Sequence, residues 1–493
     1  MRTVLIALVV AAAALAAVLV GRTLMLAPYQ PPPADAAPSS AFDADAIANH
    51  LAETVRIRTI SWQDGAPAED IAASHAAFAA LRDWIATTYP NVAKTMTREI
   101  VAEHSLLFTW TGSDPTLKPA LLMAHSDVVP VVPGSEDKWT HPPFAGVVKD
   151  GHIWGRGTMD VKSGIVGMLE AAEHLIAKGH QPKRTIMFAF GHDEEIGGRE
   201  GNATIAALLA DRKVELEFVN DEGGMITTGV MAGITAPVAL LGVAEKGSVT
   251  LELTAKSAGG HSSAPVPVGD TAIGRLARAI VRLESSPFES GFDDTTRREI
   301  ELIAPAMPFL QRLAAANLWL LEPIVVRAMT ANAGSAALVH TTIAPTVIAG
   351  GVKDNVLPPE AKARINFRIH PRDTVQGVEA KVRTALADLD IEVKATQGGR
   401  DPSPISDVEG PQFALIKRAV EAVRPGVIVV PHLVGGGTDS RHYFGLTKNV
   451  FRMIPNDVTP QDLERFHGTD ERISVESMRR IADYYLTLMT TME

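Results

Sequence analysis

The sequence predicts an α/β fold with a mostly parallel sheet, interrupted by a smaller α+β sandwich and preceded by a membrane-spanning helix. Three observations predict it. Apolar strand-like runs alternate with helical ones, the patterning changes near Lys246 to alternating apolar and polar residues, and the chain opens on an unbroken apolar run. At 493 residues the chain exceeds one ordinary core, since domains average about 150 residues. The spans expected are 1–22 for the anchor, 23–40 for a Pro-rich linker, 41–245 and 398–493 for a discontinuous larger domain, and 246–397 for the insert.

The first element is "MRTVLIALVVAAAALAAVLVGR", in which Arg2 and Arg22 bracket 19 uncharged, largely apolar residues. At about 1.5 Å per residue this nearly spans a bilayer. A cleaved signal has a shorter apolar region with small residues just behind it. Here Arg22 follows, and the candidate cut after Ala36 lies far downstream. An uncleaved anchor is therefore favoured over a cleaved signal. Either arrangement puts the folded part outside the cytoplasm, with the segment from Pro28 to Pro38 as a spacer.

Next come "ALLMAHSDVVPV" (120–131), a strand with its following loop, and "GIVGMLEAAEHLIAKG" (164–179), a helix stopped by Gly179. "TIMFAFG" (185–191) and "LEFVNDEGG" (216–224) are two further strands. Strand, helix, strand in that order implies parallel pairing, with polar residues gathered at the strands' carboxyl ends. The insert runs through "KGSVTLELTAKSAGGHSSAP", helix "TAIGRLARAIVRLE", strand "EAKARINFRIHP", helix "TVQGVEAKVRTALADL" and strand "IEVKAT". From Phe413 the first texture returns.

Composition removes several chemistries. There are no cysteines, so disulfides, thiolate metal sites and cysteine nucleophiles are excluded. A net charge of -11 without a Lys/Arg block argues against a nucleic-acid surface. Neither a G-x-S-x-G elbow nor an H-E-x-x-H helix is present.

The unusual polar residues fall into four loops. These hold His125 with Asp127, Asp160, Glu194 with Glu195, and Asp221 with Glu222; His467 in "RFHGTDE" could complete them. Adjacent acids repel unless a cation, a proton or water relieves them. A carboxylate-rich set with two histidines suits two zinc-like ions sharing one carboxylate, about 3.5–4 Å apart, which is hydrolytic chemistry. Asp127, two residues beyond His125 on a strand, could receive the imidazole's second N–H.

Those residues carry a resemblance. "MAHSDVVPV", "WTHPPFAGVVKDGHIWGRGTMDVKSG", "HDEEIGG", "VNDEGG", "GGHSSAP", "KDNVLPP" and "RFHGTDERI" resemble, in order, the co-catalytic zinc exopeptidase family of aminoacylase, glutamate carboxypeptidase and carboxypeptidase S. The nearest branch is that of carboxypeptidase S and the N-fatty-acyl-amino-acid hydrolases. The resemblance implies a zinc-exopeptidase-like catalytic domain with an inserted lid and dimerisation domain, and hence a homodimer. It implies two zinc ions, replaceable by cobalt or manganese: His125 on one, Asp160 bridging, Glu195 and His467 on the second. Glu194 becomes the general base and Asp127 the residue orienting His125. Either Asp221 or Glu222 supplies the remaining ligand; side chains alternate at a strand end, so one of them faces the metal, with a slight preference for Asp221. Asp193 is left as a structural acid of the turn.

By the same resemblance His261 reaches the partner subunit's site and stabilises the oxyanion. Asn355 and Arg368 contact substrate, Arg368 as a bidentate partner for its free carboxylate, and Gly436, Gly437 and Thr438 present backbone N–H groups. His340 departs from the pattern, standing where near relatives carry Arg. The implied reaction is metal-dependent hydrolysis of the amide bond to a C-terminal amino acid, on N-acyl amino acids, fatty-acyl ones included, or short peptides; the alternatives are a deacylase of another N-acylated metabolite and a non-catalytic homologue that only binds ligands. A long apolar stretch, 303–329, is either core or dimer interface, or a wall for a fatty-acyl chain.

Overall fold

In the computed structural model, residues 1–32, 39–63, 65–264, 267, 269–396 and 398–492 are described. The candidate cut after Ala36 and the end of the Pro-rich spacer lie outside them.

Helix α1 (Arg2–Met25) is exposed over residues 1–18 and meets the rest of the protein only through its last turns. Helix α2 (Ala44–Arg56) starts the packed part; the Asp43 side chain accepts the Ala46 N–H, and Ile47, Leu51 and Val55 share its buried face. Strands β1 (Thr97–Val101), β2 (Ser105–Trp110) and β3 (Ala120–His125) follow, then α3 (Lys162–Ala177), β4 (Ile186–Gly191), β5 (Phe218–Asp221), β6 (Met225–Thr227) and β7 (Val238–Glu245).

The chain then enters a second sheet through β8 (Gly247–Lys256), a short β9 (Gly260–His261) and helix α4 (Ala272–Glu284). Helices α5 (Asp294–Ile303), α6 (Phe309–Ala316) and α7 (Leu318–Thr330) intervene. Strands β10 (Thr342–Gly350), β11 (Val356–Leu357) and β12 (Glu360–Ile369), helix α8 (Val375–Ala385) and β13 (Ile391–Ala395) complete it. The larger sheet resumes with α9 (Pro411–Val423), β14 (Ile428–Val434), β15 (Val450–Arg452), β16 (Asp457–Val458) and α10 (Val475–Thr491).

The large sheet has the order β1-β2-β4-β3-β5-β15-β7-β6-β16, with β14 paired to β7. Its centre is parallel: β3 pairs with both β4 and β5, and β5 with β15. Antiparallel pairs flank that centre, β1 with β2, β2 with β4, and β6 with β7. The sheet is therefore mixed, with parallel pairs in the majority once β14 on β7 and β16 on β6 are included, in line with the expectation of a mostly parallel one. Short connections are the reason for the antiparallel pairs, since the three residues between β1 and β2 leave room for a hairpin but not for a crossover helix. β3 and β4 are buried along their whole length, as strands covered on both faces must be.

The second sheet, β10-β12-β8-β13, is wholly antiparallel. Inward residues of β8 and β12, such as Leu251, Leu253, Ile365 and Phe367, meet Leu276 of α4 and Val378 of α8 in a separate apolar core. The apolar stretch 303–329 does not belong to that core. Ile303 packs with Val238 and Val430 of the large sheet, and α6 packs on both α7 and α1.

Candidate metal centre

The polar loops lie where the parallel strands end. β3 delivers His125 at its last position, β4 ends two residues before Asp193, and β5 ends at Asp221. After β4 the chain makes a 3-10 turn over Glu194–Ile196, closed by Gly197 and Gly198 with φ of 113° and 60°. A Cβ on Gly198 would come within 1.8 Å of Asp439 Oδ1, so this left-handed position accepts only glycine. Asp193 fastens the turn: its carboxylate accepts the N–H groups of Glu200 at 2.8 Å and Gly201 at 2.9 Å. It is a structural acid, as expected.

Two ligand sets meet at Asp160. His125 Nε2 lies 2.9 Å from Asp160 Oδ1 and 3.5 Å from Glu222 Oε1. His467 Nε2 lies 3.0 Å from Asp160 Oδ2 and 3.1 Å from Glu195 Oε2. Ligands about 2.0–2.1 Å from a tetrahedral zinc would be about 3.3 Å apart. The spacings fit one ion between His125, Asp160 and Glu222 and another between Asp160, Glu195 and His467. His467 holds its position with φ of 57°, left-handed backbone uncommon outside glycine and frequent at functional sites.

The preference between the two acids after β5 is reversed. Asp221 turns the other way and its Oδ2 accepts the Ser440 N–H at 2.8 Å, leaving Glu222 on the His125 side. The cause is the alternation at the strand end, combined with the packing of the Thr438–Ser440 loop against β5.

Asp127 lies against His125 through both its backbone carbonyl and its carboxylate. His125 Nδ1 faces the Asp127 backbone carbonyl at 3.0 Å and the carboxylate at 3.4 Å. An Nδ1–H donating there leaves the Nε2 lone pair for a metal. The Asp127 carboxylate itself accepts the backbone N–H of Glu194 and of Glu195.

Charge in the centre is unbalanced in favour of a cation. Burial, reinforced by Glu222, Asp439 and Asp127, pushes the Glu194 carboxyl well up, and burial with Asp160 nearby pushes Glu222 up to about 8. Burial also opposes ionisation of Asp160, but the imidazoles of His125 and His467 outweigh it and hold that carboxyl below the usual range. Hydrogen bonds to Asp160 and Glu195 raise His467 to about 10. Neighbouring acids that raise each other's pKa are the setting in which a divalent cation binds.

Glu471, one residue beyond the Asp470 of "HGTD", was not singled out by the sequence. It is fully buried, its Oε1 accepts the N–H groups of Gly157 at 2.9 Å and Met159 at 2.8 Å, and its Oε2 accepts Arg156 Nη1 at 2.5 Å. Arg156 also donates to the carbonyls of His467 and Gly468. This pair ties the loop of Asp160, whose peptide bond to Val161 is cis, to the loop of His467. Asp439, also missed, is buried against Asn202 and pushed up to about 7, chiefly by burial. Acids inside quoted motifs were the available signal.

The remaining predicted residues are spread around the centre. Thr438 does not offer its N–H: both its N–H and its hydroxyl donate to Glu245 Oε1, at 2.9 and 2.7 Å. Glu245 is buried and also accepts Arg452 Nε and Arg400 Nη1, so a buried ion-pair network consumes the expected donor. Gly436 is exposed, and Gly437 lies against Arg400. Arg368 lies on β12 opposite Ser248; burial, with Arg400 adding, lowers its pKa, and among the described residues no carboxylate pairs with it. Asn355 and His261 share one loop pair, the Asn355 carbonyl accepting the Ser262 N–H. Exposed His261 meets Ser263, and within this chain it stays outside the carboxylate cluster. His340 offers its carbonyl to Lys246 Nζ at 3.0 Å.

Comparison with known proteins agrees with this architecture. Residues 121–491 match Peptidase family M20/M25/M40. Probable carboxypeptidase S-like 2 of Dictyostelium discoideum is 36% identical over 449 residues, covering 91% of this chain and 85% of that protein. The N-fatty-acyl-amino acid synthase/hydrolase PM20D1 of Xenopus tropicalis is 37% identical over 455 residues, covering 90% and 88%. Among solved structures, human carnosine dipeptidase 1 superposes with a TM-score of 0.64 at 16% identity, covering 91% of this chain and 96% of that one, a likeness of fold.

Proposed function

The chain belongs to peptidase family M20/M25/M40, and from that premise we propose that it cleaves the amide bond between an acyl group and a C-terminal amino acid, with N-acyl amino acids as substrates. Metal-dependent amide hydrolysis is the chemistry of the family and of this enzyme. The observation that carries the finer reading is the pair of ligand sets meeting on the two oxygens of Asp160, with Glu194 beside them in neither set.

His125, Asp160 and Glu222 would hold one zinc ion and Asp160, Glu195 and His467 a second, with cobalt or manganese as substitutes. Bound ions of this kind polarise an amide carbonyl and bring the pKa of water toward neutrality. Glu194 takes the proton from the attacking water and delivers it to the amine nitrogen as the carbon–nitrogen bond breaks. Burial favours this exchange, because raising the carboxyl's pKa makes Glu194 a stronger proton acceptor. Arg368, unpaired among the described residues, binds the free carboxylate of the amino-acid product side. Gly436 and Gly437 are assigned to the same end, and Asn355 goes with His261, with which it shares a loop pair. His261, outside its own chain's cluster, serves the site of a second copy in a homodimer.

Fatty-acyl chains are the favoured acyl group, supported by the name of the Xenopus relative. The helix α1 anchors the enzyme, with its catalytic part outside the cytoplasm. The test is hydrolysis of N-oleoyl amino acids, N-acetyl amino acids and dipeptides by the zinc-loaded enzyme, before and after chelation. Chelator-sensitive release of amino acid from the oleoyl compound is expected. A preference for the acetyl compound removes the fatty-acyl assignment, and inertness toward all three removes the reaction.

A further inference from the structure

The helical hairpin α6–α7 is built onto the end of α1. Asn317, the single residue between α6 and α7, is fully buried and donates its side-chain N–H to the carbonyl of Leu19 at 3.1 Å and to that of Leu313 at 2.9 Å. Arg22 Nε donates to the Ala316 carbonyl at 3.3 Å, and Thr23 is buried at the same junction. The joint fixes the hairpin to α1 at residues 19–23.

Residues 3–18 of α1 are exposed and, apart from Thr3, apolar, and at 1.5 Å per residue they extend about 24 Å from that joint. A hydrocarbon core is about 30 Å thick. With residues 3–18 in the core and Arg2 at its far edge, the joint falls at the membrane surface and so does the hairpin. The hairpin's exposed side chains suit that level. Phe309, Leu310, Trp319, Leu320 and Ile324 are all exposed, Leu310 by 78% and Ile324 by 64%. Exposed apolar groups of this size in one short segment mark an interaction surface. Charge agrees: between residues 307 and 330 the one acid, Glu322, is paired with Arg297, whereas Arg312 and Arg327 have no acidic partner among the described residues. Apolar side chains with a basic remainder, including a Trp, are the makeup of a segment lying in the headgroup region.

We propose that α6 and α7 form a second, interfacial membrane contact, with Leu310, Trp319 and Ile324 inserted into the bilayer surface beside the anchor. The proposal rests on the reading of α1 as a membrane anchor and adds an orientation to it, since one spanning helix leaves a domain free to tumble and two contacts do not. The occupant of the apolar face is lipid.

Absence of cysteine makes the test direct. Leu8→Cys in α1, Leu310→Cys, Ile324→Cys and, as a water reference on the sheet edge farthest from α5, Ile100→Cys are each spin-labelled in the full chain. The variants are reconstituted into phosphatidylcholine vesicles containing phosphatidylglycerol. Collision with oxygen is compared with collision with a water-soluble nickel chelate. The oxygen-to-nickel ratio is expected to be several-fold higher at 310 and 324 than at 100, approaching the value at 8. If 8 reports lipid while 310 and 324 match 100, the hairpin proposal falls and the anchor stands. Protection of 310 from both reagents with spin–spin broadening would show a second copy on the face, which also overturns it. A water-like ratio at 8 removes the anchor and the proposal together.

Discussion

The carboxylate of Asp127 holds the catalytic turn through its backbone: Asp127 Oδ2 accepts the Glu195 N–H at 3.1 Å, while Oδ1 accepts the Glu194 N–H at 3.2 Å. One buried acid therefore positions Glu194, proposed as the base, Glu195, proposed as a metal ligand, and, through its own carbonyl, His125. Replacing Asp127 by Asn exchanges one acceptor oxygen for a donor that opposes an N–H. Changes around metal ligands of this kind cost about 10–100-fold in affinity or activity. Turnover of Asp127→Asn should fall by that amount, with zinc released at lower chelator concentration.

Glu194 belongs to neither ligand set, so Glu194→Gln should retain both ions while turnover falls about 10²–10⁴-fold, the usual contribution of general acid–base catalysis. Metal content by plasma mass spectrometry and amino-acid release from an N-acyl substrate measure the two. An active variant would contradict the assignment of the base.

The two acids after β5 separate by metal content. Glu222 faces His125 and Asp221 accepts the Ser440 N–H. Glu222→Gln should bind one equivalent of zinc fewer, whereas Asp221→Asn, which keeps an acceptor oxygen, should bind as the parent does. Loss of zinc from the Asp221 variant alone would restore the opposite assignment.

Arg156 and Glu471 are a buried pair, 3% and 0% exposed. Removing one member of such a pair costs about 3–5 kcal/mol, because the other charge is left uncompensated. Arg156→Leu should lower the thermal midpoint strongly and loosen the Asp160 and His467 loops together, read as accelerated amide hydrogen exchange in both.

Acid should destabilise the fold in a defined window. His104 and His442 are pushed down to about 4, chiefly by burial, with His75, His192 and Arg82 adding at the first and Arg441 and Arg400 at the second. An unfolded histidine titrates near about 6.5. Between those values the unfolded chain takes up protons that the folded one refuses, so this stability is complete above about pH 6.5 and is lost as the pH falls toward 4. Thermal unfolding across that interval should show the decline, and His104→Gln should make its slope shallower.

Much of this was readable without coordinates. The helix ending at Gly179, the strand "TIMFAFG" and the acid turn after it follow from side-chain period and from where Gly and polar residues interrupt it. The residues that meet at Asp160 were also available from their motifs, because a hydrolytic metal site requires His and carboxylate donors and the chain has no cysteine. Glu471 escaped because a buried acid that accepts backbone N–H groups has no sequence pattern distinguishing it from a solvated one.

By itself the sequence determined the element types and the membrane-length first helix, properties of local composition and spacing, while the resemblance of its motifs implied the candidate donors. Only the tertiary structure decided that the sheet is mixed, that Glu222 rather than Asp221 turns to His125, that Glu245 consumes the Thr438 N–H, and that residues 303–329 join α1 instead of the second core. Each depends on which distant segment packs alongside, and side-chain direction at a strand end or on a helix is set by that neighbour as much as by the residue itself.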